Sequence, residues 1–342
     1  MRAPFELAGL KVQAGSRGAG WIDVARSPAG WSIGLPVVVL HGAGDGPVLV
    51  VDAATHGDEF EGTLSLLTLL RETSPEKLNG TLIGVPVVNG PAFEAELRGN
   101  PLERHNFDMN RLFPGDARGT ISQRIAARYF EDVIKRANVV VTLHGGGNLF
   151  YLEGYVLAHS IGGGNLDLIR ALGWTRFSDD AAVAQGPRQG LLHEKCLEIG
   201  IPTITVELGG ASHRSPKHLE WVKSEFLRGI RNVMIHFKMI DGRIERPATL
   251  HRIRRQLLRT NQGGIMDIEP GIDIEAQVAK GQRLLCVYSP LGELVDEVKA
   301  PFAGRIMGLP ASPLAYPGRI VAAIYEIAEE IQMEPSGGGK SH

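Results

Sequence analysis

Two residues that can bind a metal, His56 and Glu59, stand three positions apart between an apolar segment and a helix-like segment. Residues 48–51 are typical of a buried strand, and residues 63–70 are typical of a helix. Active sites of open α/β sheets lie at this kind of edge. The i, i+3 spacing lets an imidazole nitrogen and a carboxylate oxygen converge on one point about 2 Å from each. The spacing therefore indicates half of a catalytic zinc site, although a surface ion pair or a helix cap would also show it.

A third ligand is expected from another strand end, because a catalytic zinc usually takes three protein ligands and keeps one position open. His144 follows the apolar segment 139–143 and precedes the flexible turn 145–147. A lone histidine in this place is commonly structural. In combination with His56 and Glu59, it is the predicted third metal ligand.

A candidate general base, Glu207, ends the apolar strand-like segment 203–208 and is followed by two glycines. Burying a carboxylate in such a segment is costly unless it has a partner or a chemical role. A helix-capping or salt-bridging glutamate is the alternative. The hypothesis is that Glu207 takes a proton from a metal-activated water molecule and passes it to a leaving amine.

A candidate substrate-binding pair, Asn110 and Arg111, lies in the segment 108–115, between the first two predicted ligands and the third. The planar guanidinium of an arginine suits a substrate carboxylate or a polarised carbonyl. An asparagine amide offers both a donor and an acceptor. A solvated loop is the alternative for this pair taken by itself.

Strand-like and helix-like segments alternate around these residues, which favours an α/β fold with a mixed sheet flanked by helices. The N-terminal part, up to about residue 46, has the pattern of short strands and turns. Predicted strands then lie at 48–53, 81–88, 139–143, 155–158 and 203–208. Predicted helices lie at 61–71, 122–136, 165–172, 191–199 and 216–237, with Thr120 or Ser122 as the cap of the second.

The pattern changes near residue 245, where helical periodicity stops. Residues 263–324 show short β-like segments separated by turns. We therefore expect a catalytic domain over 1–245, with 1–46 as a β-rich lead-in, and a small all-β domain over 246–330. Residues 331–342, which contain the glycine run 337–339, are expected to be a disordered tail.

Composition excludes several classes of function. The 342 residues carry a formal net charge of −2 and no basic run, which argues against a nucleic-acid partner. The first residues lack the apolar core of a signal peptide, and no run of 18 apolar residues occurs, so we expect a cytoplasmic protein that does not bind a membrane. Cys196 and Cys286 are 90 residues apart and predict no disulfide framework.

Taken in order, these motifs resemble the succinylglutamate desuccinylase/aspartoacylase family, a branch of the zinc carboxypeptidase-like fold. The motifs that match, between about residues 47 and 210, are His56-x-x-Glu59, Asn110-Arg111 before Phe113-Pro114-Gly115, Leu143-His144, and Thr205-Val206-Glu207-Leu208-Gly209. Within the family, the chain looks most similar to N-acetyl-diaminobutyrate deacetylase-type members. The shared features are the glycine-rich turn after His144, the segment 207–210 and the C-terminal β region.

The resemblance implies hydrolysis of an N-acyl amino acid to a carboxylate and a free amine. It implies one Zn²⁺ per chain held by His56, Glu59 and His144, with Glu207 as the general base. Asn110 and Arg111 would bind the substrate, and Arg111 would help to polarise the amide carbonyl. The family often has another substrate-binding arginine upstream, and both Arg98 and Arg104 are candidates. A homodimer is plausible on the same ground.

Two features depart from related patterns. Members of the family commonly have an aspartate two residues before the third ligand, where this chain has Thr142. The loss of such a supporting carboxylate can cost about 10- to 100-fold in metal affinity or activity unless another carboxylate fills the role. The segments 275–282 and 298–306 resemble halves of a biotinyl/lipoyl-type domain, but the hairpin 288–292 has no lysine to carry a cofactor.

Three functions remain open from the sequence. The first is a zinc-dependent deacylase of a small N-acyl amino acid. The second is a carboxypeptidase or another amide hydrolase that uses the same site. The third is a non-catalytic binding protein with a relict zinc fold, which the Thr142 departure alone supports. The ligand set suits zinc, and manganese or cobalt could replace it.

Overall fold

The computed structural model describes residues 2–103, 108–158, 160–162, 164–179, 190–211 and 215–333. Six α-helices occur in these residues: α1 (Phe60–Glu72), α2 (Gly90–Glu94), α3 (Ile121–Asp132), α4 (Asn165–Leu172), α5 (Leu192–Glu198) and α6 (Pro216–His236). Single-turn 3-10 helices lie at Pro75–Lys77, Met109–Arg111 and Ile134–Arg136. None of the described helices is long and apolar enough to cross a membrane.

Strands make up most of the remaining ordered elements. The first ten are β1 (Phe5–Leu7), β2 (Leu10–Val12), β3 (Ser16–Arg26), β4 (Ser32–His41), β5 (Gly44–Ala53), β6 (Asn79–Val85), β7 (Val139–His144), β8 (Phe150–Leu157), β9 (Arg176–Ser178) and β10 (Thr203–Gly210). The others are β11 (Thr249–Arg259), β12 (Gly264–Ile268), β13 (Gln277–Val278), β14 (Arg283–Tyr288), β15 (Leu294–Lys299), β16 (Gly304–Pro310), β17 (Leu314–Ala315) and β18 (Ile320–Gln332).

One mixed sheet of 12 strands organises the described part of the molecule, in the order β13-β16-β18-β11-β9-β8-β10-β7-β5-β6-β4-β3. Its centre is parallel, with β5 between β6 and β7 and with β7 next to β10. Because β5, β7 and β10 run in the same direction, their carboxyl ends meet at one edge of the sheet. The residues that follow these strands are thereby brought together.

Two hydrophobic clusters cover the two faces of this sheet. On one face, α1, α4 and α6 pack their apolar residues, such as Leu66, Ile169 and Phe226, against β5, β7 and β10. On the other face, α3 and α5 pack with β1, β2 and β3 around Tyr129 and Val140. Burial on both faces explains why β7 reads as a continuous apolar run rather than as an alternating one.

Local sequence fixes the ends of the longer helices. Thr120 caps α3, and the side-chain oxygen of Gln123 accepts a hydrogen bond from the Thr120 amide, which completes a capping box. Ser215 caps α6, with Pro216 at its first position. At α3 the prediction of Thr120 as a cap is confirmed, but the helix ends at Asp132, four residues before its predicted end.

The C-terminal region adds strands to the same sheet and also closes a ring. β16 pairs with β18 and also with β8, so that β8, β9, β11, β18 and β16 close on themselves. A small apolar cluster fills this ring, with Tyr155, Ile253, Met307, Ala323 and Tyr325 at its centre. A separate four-stranded sheet, β15-β14-β12-β17, packs against β11, β16 and β18 around a further apolar core.

The predicted mixed sheet with flanking helices is confirmed, and all described elements after residue 245 are strands. Two features of the C-terminal strands were not expected from the sequence. The C-terminal strands are not confined to a sheet of their own, because β11 pairs with β9 of the main sheet. β18 extends to Gln332 and so includes two residues of the expected disordered tail, whereas 334–342 lie outside the described residues.

Candidate metal centre and active site

The turn after β5 places the first two predicted ligands. β5 ends at Ala53, and α1 begins at Phe60, so His56 and Glu59 lie on the connection at the carboxyl edge of the sheet. Gly57 allows this turn to pass close to α2, since a Cβ at this position would lie 2.0 Å from the Ala92 carbonyl carbon. The turn is therefore held against the body of the protein rather than extended into solvent.

The three predicted metal ligands form one buried cluster. His56, Glu59 and His144 each offer one ligand atom, and these atoms lie within 4.8 Å of one another. The Nδ1 atoms of the two histidines are 3.2 Å apart, and each pairs with a different oxygen of Glu59, at 2.7 Å for His56 and 2.9 Å for His144. All three side chains are at most 4% exposed. This convergent nitrogen and oxygen set fits a tetrahedral zinc with one open position.

Asp108 supports the cluster from outside. One of its oxygens lies 2.9 Å from Nε2 of His56, the ring nitrogen that does not face Glu59. The same carboxylate accepts a hydrogen bond of 2.9 Å from Arg98, whose other terminal nitrogen lies 3.6 Å from Glu59. A carboxylate on the second nitrogen of a metal-binding histidine fixes the ring orientation and its tautomer. Of the two upstream arginines that are candidates for substrate binding, Arg98 therefore lies at the site.

The charges within the cluster raise the pKa of His56 and lower the pKa of Glu59. Burial and the Arg98 guanidinium act to lower the pKa of His56, but the carboxylates of Glu59 and Asp108 outweigh them and raise this pKa to about 9. Burial acts to raise the pKa of Glu59, but the His56 and His144 imidazoles hold it well below its usual range. Without a metal, a proton therefore holds the place of a cation among these ligands.

Glu207 lies beside this cluster in a row of register partners that crosses the sheet. It pairs with His144 on parallel β7 and with Tyr155 on antiparallel β8. Burial raises the pKa of the Glu207 carboxyl, and the nearby Glu59 carboxylate adds to this rise, whereas His144, Arg255 and His56 oppose it. A carboxylate that binds a proton more readily than usual, next to a metal cluster, is suited to accept and release one.

Thr142, the departure from the family pattern, is hydrogen-bonded to a carboxylate on the neighbouring strand. Asp52 is its register partner on β5, and the Thr142 hydroxyl donates a bond of 2.7 Å to one Asp52 oxygen. The Tyr129 hydroxyl donates to the other oxygen, also at 2.7 Å. Asp52 is completely buried, and desolvation raises its pKa. A carboxylate therefore stands behind His144 from β5 rather than from β7.

The predicted substrate pair lies next to Asp108. The Asn110 side chain is 9% exposed, and its oxygen accepts a hydrogen bond of 3.1 Å from the Leu192 amide at the start of α5. Arg111 is 43% exposed, and one of its terminal nitrogens lies 4.0 Å from Asp108. Arg104, the other upstream candidate, lies outside the described residues.

Sequence reasoning missed Asp52, Asp108 and Arg255. Asp52 ends the apolar segment 48–51, which is the same signal that drew attention to Glu207. Asp108 is part of the segment that was singled out for Asn110 and Arg111. Arg255 gave no signal in the sequence, because its neighbours alternate between buried and exposed positions as in any strand of a β domain.

The sequence model of the "Succinylglutamate desuccinylase/Aspartoacylase catalytic domain" matches residues 45–237. A curated relative, the N-alpha-acetyl-L-2,4-diaminobutyric acid deacetylase of Halomonas elongata, is 27% identical over 229 residues. This match covers 66% of the chain and 65% of the relative, slightly less than two thirds of its length.

Solved structures resemble nearly the whole chain. A succinylglutamate desuccinylase from Silicibacter sp. TM1040 is 25% identical, with a TM-score of 0.81, and the match covers 95% of this chain and 98% of that one. The product-bound ectoine utilization protein EutE (DoeB) from Ruegeria pomeroyi is also 25% identical, with a TM-score of 0.81 and coverage of 94% and 98%. The overlap extends well beyond residue 245, so these proteins also have counterparts of the C-terminal strands.

Proposed function

Because this chain belongs to the succinylglutamate desuccinylase/aspartoacylase family, we propose that it is a zinc-dependent deacylase that hydrolyses the amide bond of a small N-acyl amino acid. The observation that carries the proposal is the buried cluster of His56, Glu59 and His144 with the carboxylate of Glu207 beside it. The deacetylase activity of the curated relative supports the substrate class. In this proposal the fold is the zinc carboxypeptidase-like variant of the mixed sheet.

Zinc is the metal that fits the donor set best. Two imidazoles and one carboxylate on a rigid, buried edge match the ligands of hydrolytic zinc sites, which keep a further position open. A zinc ion held by His56, Glu59 and His144 would supply Lewis acidity that polarises a carbonyl and makes a water molecule more acidic. Asp108 and Asp52 support the ligands from behind, at the second nitrogen of His56 and near His144 respectively.

Glu207 performs the proton transfers. It takes a proton from the attacking water, whose oxygen forms a bond to the amide carbon. It then gives this proton to the amide nitrogen as the carbon–nitrogen bond breaks, which leaves a carboxylic acid and an amine; the acid then loses its remaining proton to become a carboxylate. The raised pKa of Glu207 favours the first of these steps, since it makes the carboxylate a stronger base before the attack.

The arginines near Asp108 bind the substrate. Arg111, whose side chain is 43% exposed, can reach a substrate oxygen, and Arg98 lies on the same side of His56. The Asn110 oxygen is occupied by the Leu192 amide, so the NH₂ group is the part of this side chain that would meet a substrate. Arg104 remains a further candidate from the sequence.

The sequence-based division of the chain is also part of the proposal. We propose residues 1–245 as the catalytic domain, with 1–46 as its β-rich lead-in, and 246–330 as a small β domain that covers it. The ring formed by β8, β9, β11, β18 and β16 supports a covering role, since it lies beside Glu207 on β10. A homodimer is proposed from the family resemblance.

The test combines metal content with amine release. Mass spectrometry should find about one zinc per chain. Hydrolysis should be detected in a panel of N-acyl amino acids that includes N-alpha-acetyl-L-2,4-diaminobutyrate and N-succinylglutamate. Cleavage of dipeptides in preference to these compounds would favour the carboxypeptidase alternative. Absence of both metal and turnover after zinc is added would favour a binding protein and refute the proposal.

A further inference from the structure

Arg255 is a buried cation beside the proposed general base, and it comes from the C-terminal region. It lies in the middle of β11 and is 8% exposed. Its guanidinium carbon lies 5.2 Å from the centre of the Tyr155 ring. Tyr155 is the register partner of Glu207, and the charge of Arg255 acts on both of these residues. The row that begins at His144 therefore continues through Glu207 and Tyr155 to Arg255.

The position of Arg255 in its strand explains why it points inward. Residues two apart in a strand share one face. Ile253 and Leu257, on either side of Arg255, both belong to the apolar cluster inside the ring. Arg254 and Gln256 alternate with them and are exposed. The chain thus places a charge on the face of β11 that is otherwise apolar, which is costly unless an anion accompanies it.

A second stacked arginine in the same ring, Arg176, provides a structural comparison for the hydrogen bonding of Arg255. Arg176 lies 5.4 Å from the Tyr325 ring centre, and each of its three nitrogens is used. Its hydrogen-bond partners are the Gly154 carbonyl, Glu153, Glu275 and the Tyr325 hydroxyl. Arg255 is similarly buried and stacked, but its Nε has no hydrogen-bond partner among the described residues.

Glu207 is near Arg255, but the two side chains are not joined by a hydrogen bond in the part of the chain that is described. In a buried site, a permanent arginine–glutamate pair gains most from the direct two-bond geometry of the guanidinium fork. Because the two groups are not hydrogen-bonded to each other and Nε of Arg255 has no partner among the described residues, the guanidinium keeps the capacity to bind another anion. The Tyr155 ring stacks on one face of the Arg255 guanidinium. The edge of the guanidinium is thereby oriented to bind a planar carboxylate.

We propose that Arg255 binds the α-carboxylate of the amino-acid half of the substrate. This inference rests on the proposed deacylase function and deepens it. The amide nitrogen must come within hydrogen-bond reach of Glu207 to receive its proton. In an N-acyl amino acid, the α-carboxyl carbon is only two bonds from this nitrogen. A carboxylate receptor on the Tyr155 side of Glu207 therefore holds the leaving half.

The test compares two substrates that differ only in this carboxylate. These are N-alpha-acetyl-L-2,4-diaminobutyrate and its counterpart without the carboxylate, N-acetyl-1,3-diaminopropane. With Arg255→Gln, we expect kcat/KM for the first to fall about 100-fold, since charge-assisted paired bonds are lost. For the second, kcat/KM should change less than about threefold. Arg255→Lys, which keeps the charge but not the fork, should recover part of the loss.

The matched control is Arg254→Gln on the same strand. Arg254 is 58% exposed at its side chain, where it pairs with Glu326 and stacks on Phe302. This variant should leave both substrates unchanged. Zinc content and thermal unfolding of each variant would show that the site and the fold are intact. An equal loss for both substrates with Arg255→Gln would mean that Arg255 acts through Glu207 and would overturn the inference, as would no loss for either.

A binding measurement separates this inference from the proposed function. Calorimetry of the zinc-loaded protein with L-2,4-diaminobutyrate and with 1,3-diaminopropane needs no turnover. Tighter binding of the amino acid to the wild-type protein, lost in Arg255→Gln, supports the receptor. Binding that does not depend on the carboxylate overturns it. Failure of the wild-type protein to hydrolyse any N-acyl compound would refute the proposed function instead, and calorimetry would still decide the role of Arg255.

Discussion

The two sides of the candidate site differ in how their polar groups are satisfied. On the side of His56, Glu59, His144 and Asp108, neighbouring groups are joined by contacts of 2.7 to 3.2 Å. On the side of Glu207 and Arg255, charges act on one another at a distance, and the guanidinium keeps an unpaired nitrogen. The first side is preorganised for a small cation, and the second keeps its groups available for molecules that enter and leave.

Substitutions on the two sides of the site should therefore have different consequences. Removal of any member of the fully paired cluster should impair cation binding, because the remaining groups keep the geometry of a site that needs the missing group. Groups on the open side support chemistry rather than structure, so their removal should spare the metal and the fold.

The largest effect is expected on the paired side. His144→Ala removes one of three ligands, so zinc content should fall from about one per chain to near none, and hydrolysis should be lost. Mass spectrometry of the purified protein measures this directly. His236→Ala, at the end of α6, is the control and should keep its zinc. Retention of a full zinc complement by His144→Ala would place the metal elsewhere.

On the open side, Glu207→Gln should lower kcat by about 10²- to 10⁴-fold because the amide cannot accept and return the proton. Zinc content should stay near one per chain, which distinguishes this variant from the loss of a ligand. Glu198→Gln on α5, where the side chain is 59% exposed and pairs with Lys195, should behave like the wild-type protein. Normal turnover in Glu207→Gln would remove this residue from the mechanism.

Protons should compete with the metal on the paired side. The pKa of His56 is raised to about 9 in the metal-free protein, so the ring carries a proton at neutral pH that zinc must displace. Zinc affinity should therefore rise about tenfold per pH unit as pH increases towards 9 and level off above it. Titration against a chelator between pH 6 and 8 gives this slope.

The variant Asp108→Asn tests the cause of this pH dependence with the same titration of zinc affinity. Because the Asp108 carboxylate helps to raise the pKa of His56, its removal should move the rise in zinc affinity to lower pH. The loss of ring orientation should weaken binding by about 10- to 100-fold at high pH, where the proton no longer competes. A pH-independent affinity in the wild-type protein would show that His56 does not hold the proton.

The smallest effect concerns the carboxylate behind His144. Thr142→Val removes the hydroxyl that donates to the buried Asp52, which should lower the free energy of unfolding by about 1 to 3 kcal/mol. Thr205→Val is a closely matched control. Thr205 is the register partner of Thr142 on β10, and its buried hydroxyl has no partner among the described residues. Denaturant unfolding of the two variants should separate them; equal losses would show that the Asp52 contact contributes nothing.

The sequence by itself determined the mixed α/β sheet, most of its helices and the cluster of candidate metal ligands. Apolar runs fixed the strands, and His56, Glu59, His144 and Glu207 each follow or end such a run. Since parallel strands share a carboxyl edge, their adjacency followed from local pattern alone. The Thr120 cap was readable for the same reason, because its partner Gln123 is only three residues away.

Tertiary structure decided what depends on pairing between distant strands. Only the register of β5 with β7 shows that Asp52 lies beside Thr142, 90 residues away. Only the pairing of β16 with β8 closes the ring that brings β11 back to the site, so that Arg255 lies over Tyr155. A strand pattern tells which residues share a face, but not which face of another strand they meet, because register and partner choice are set by long-range packing.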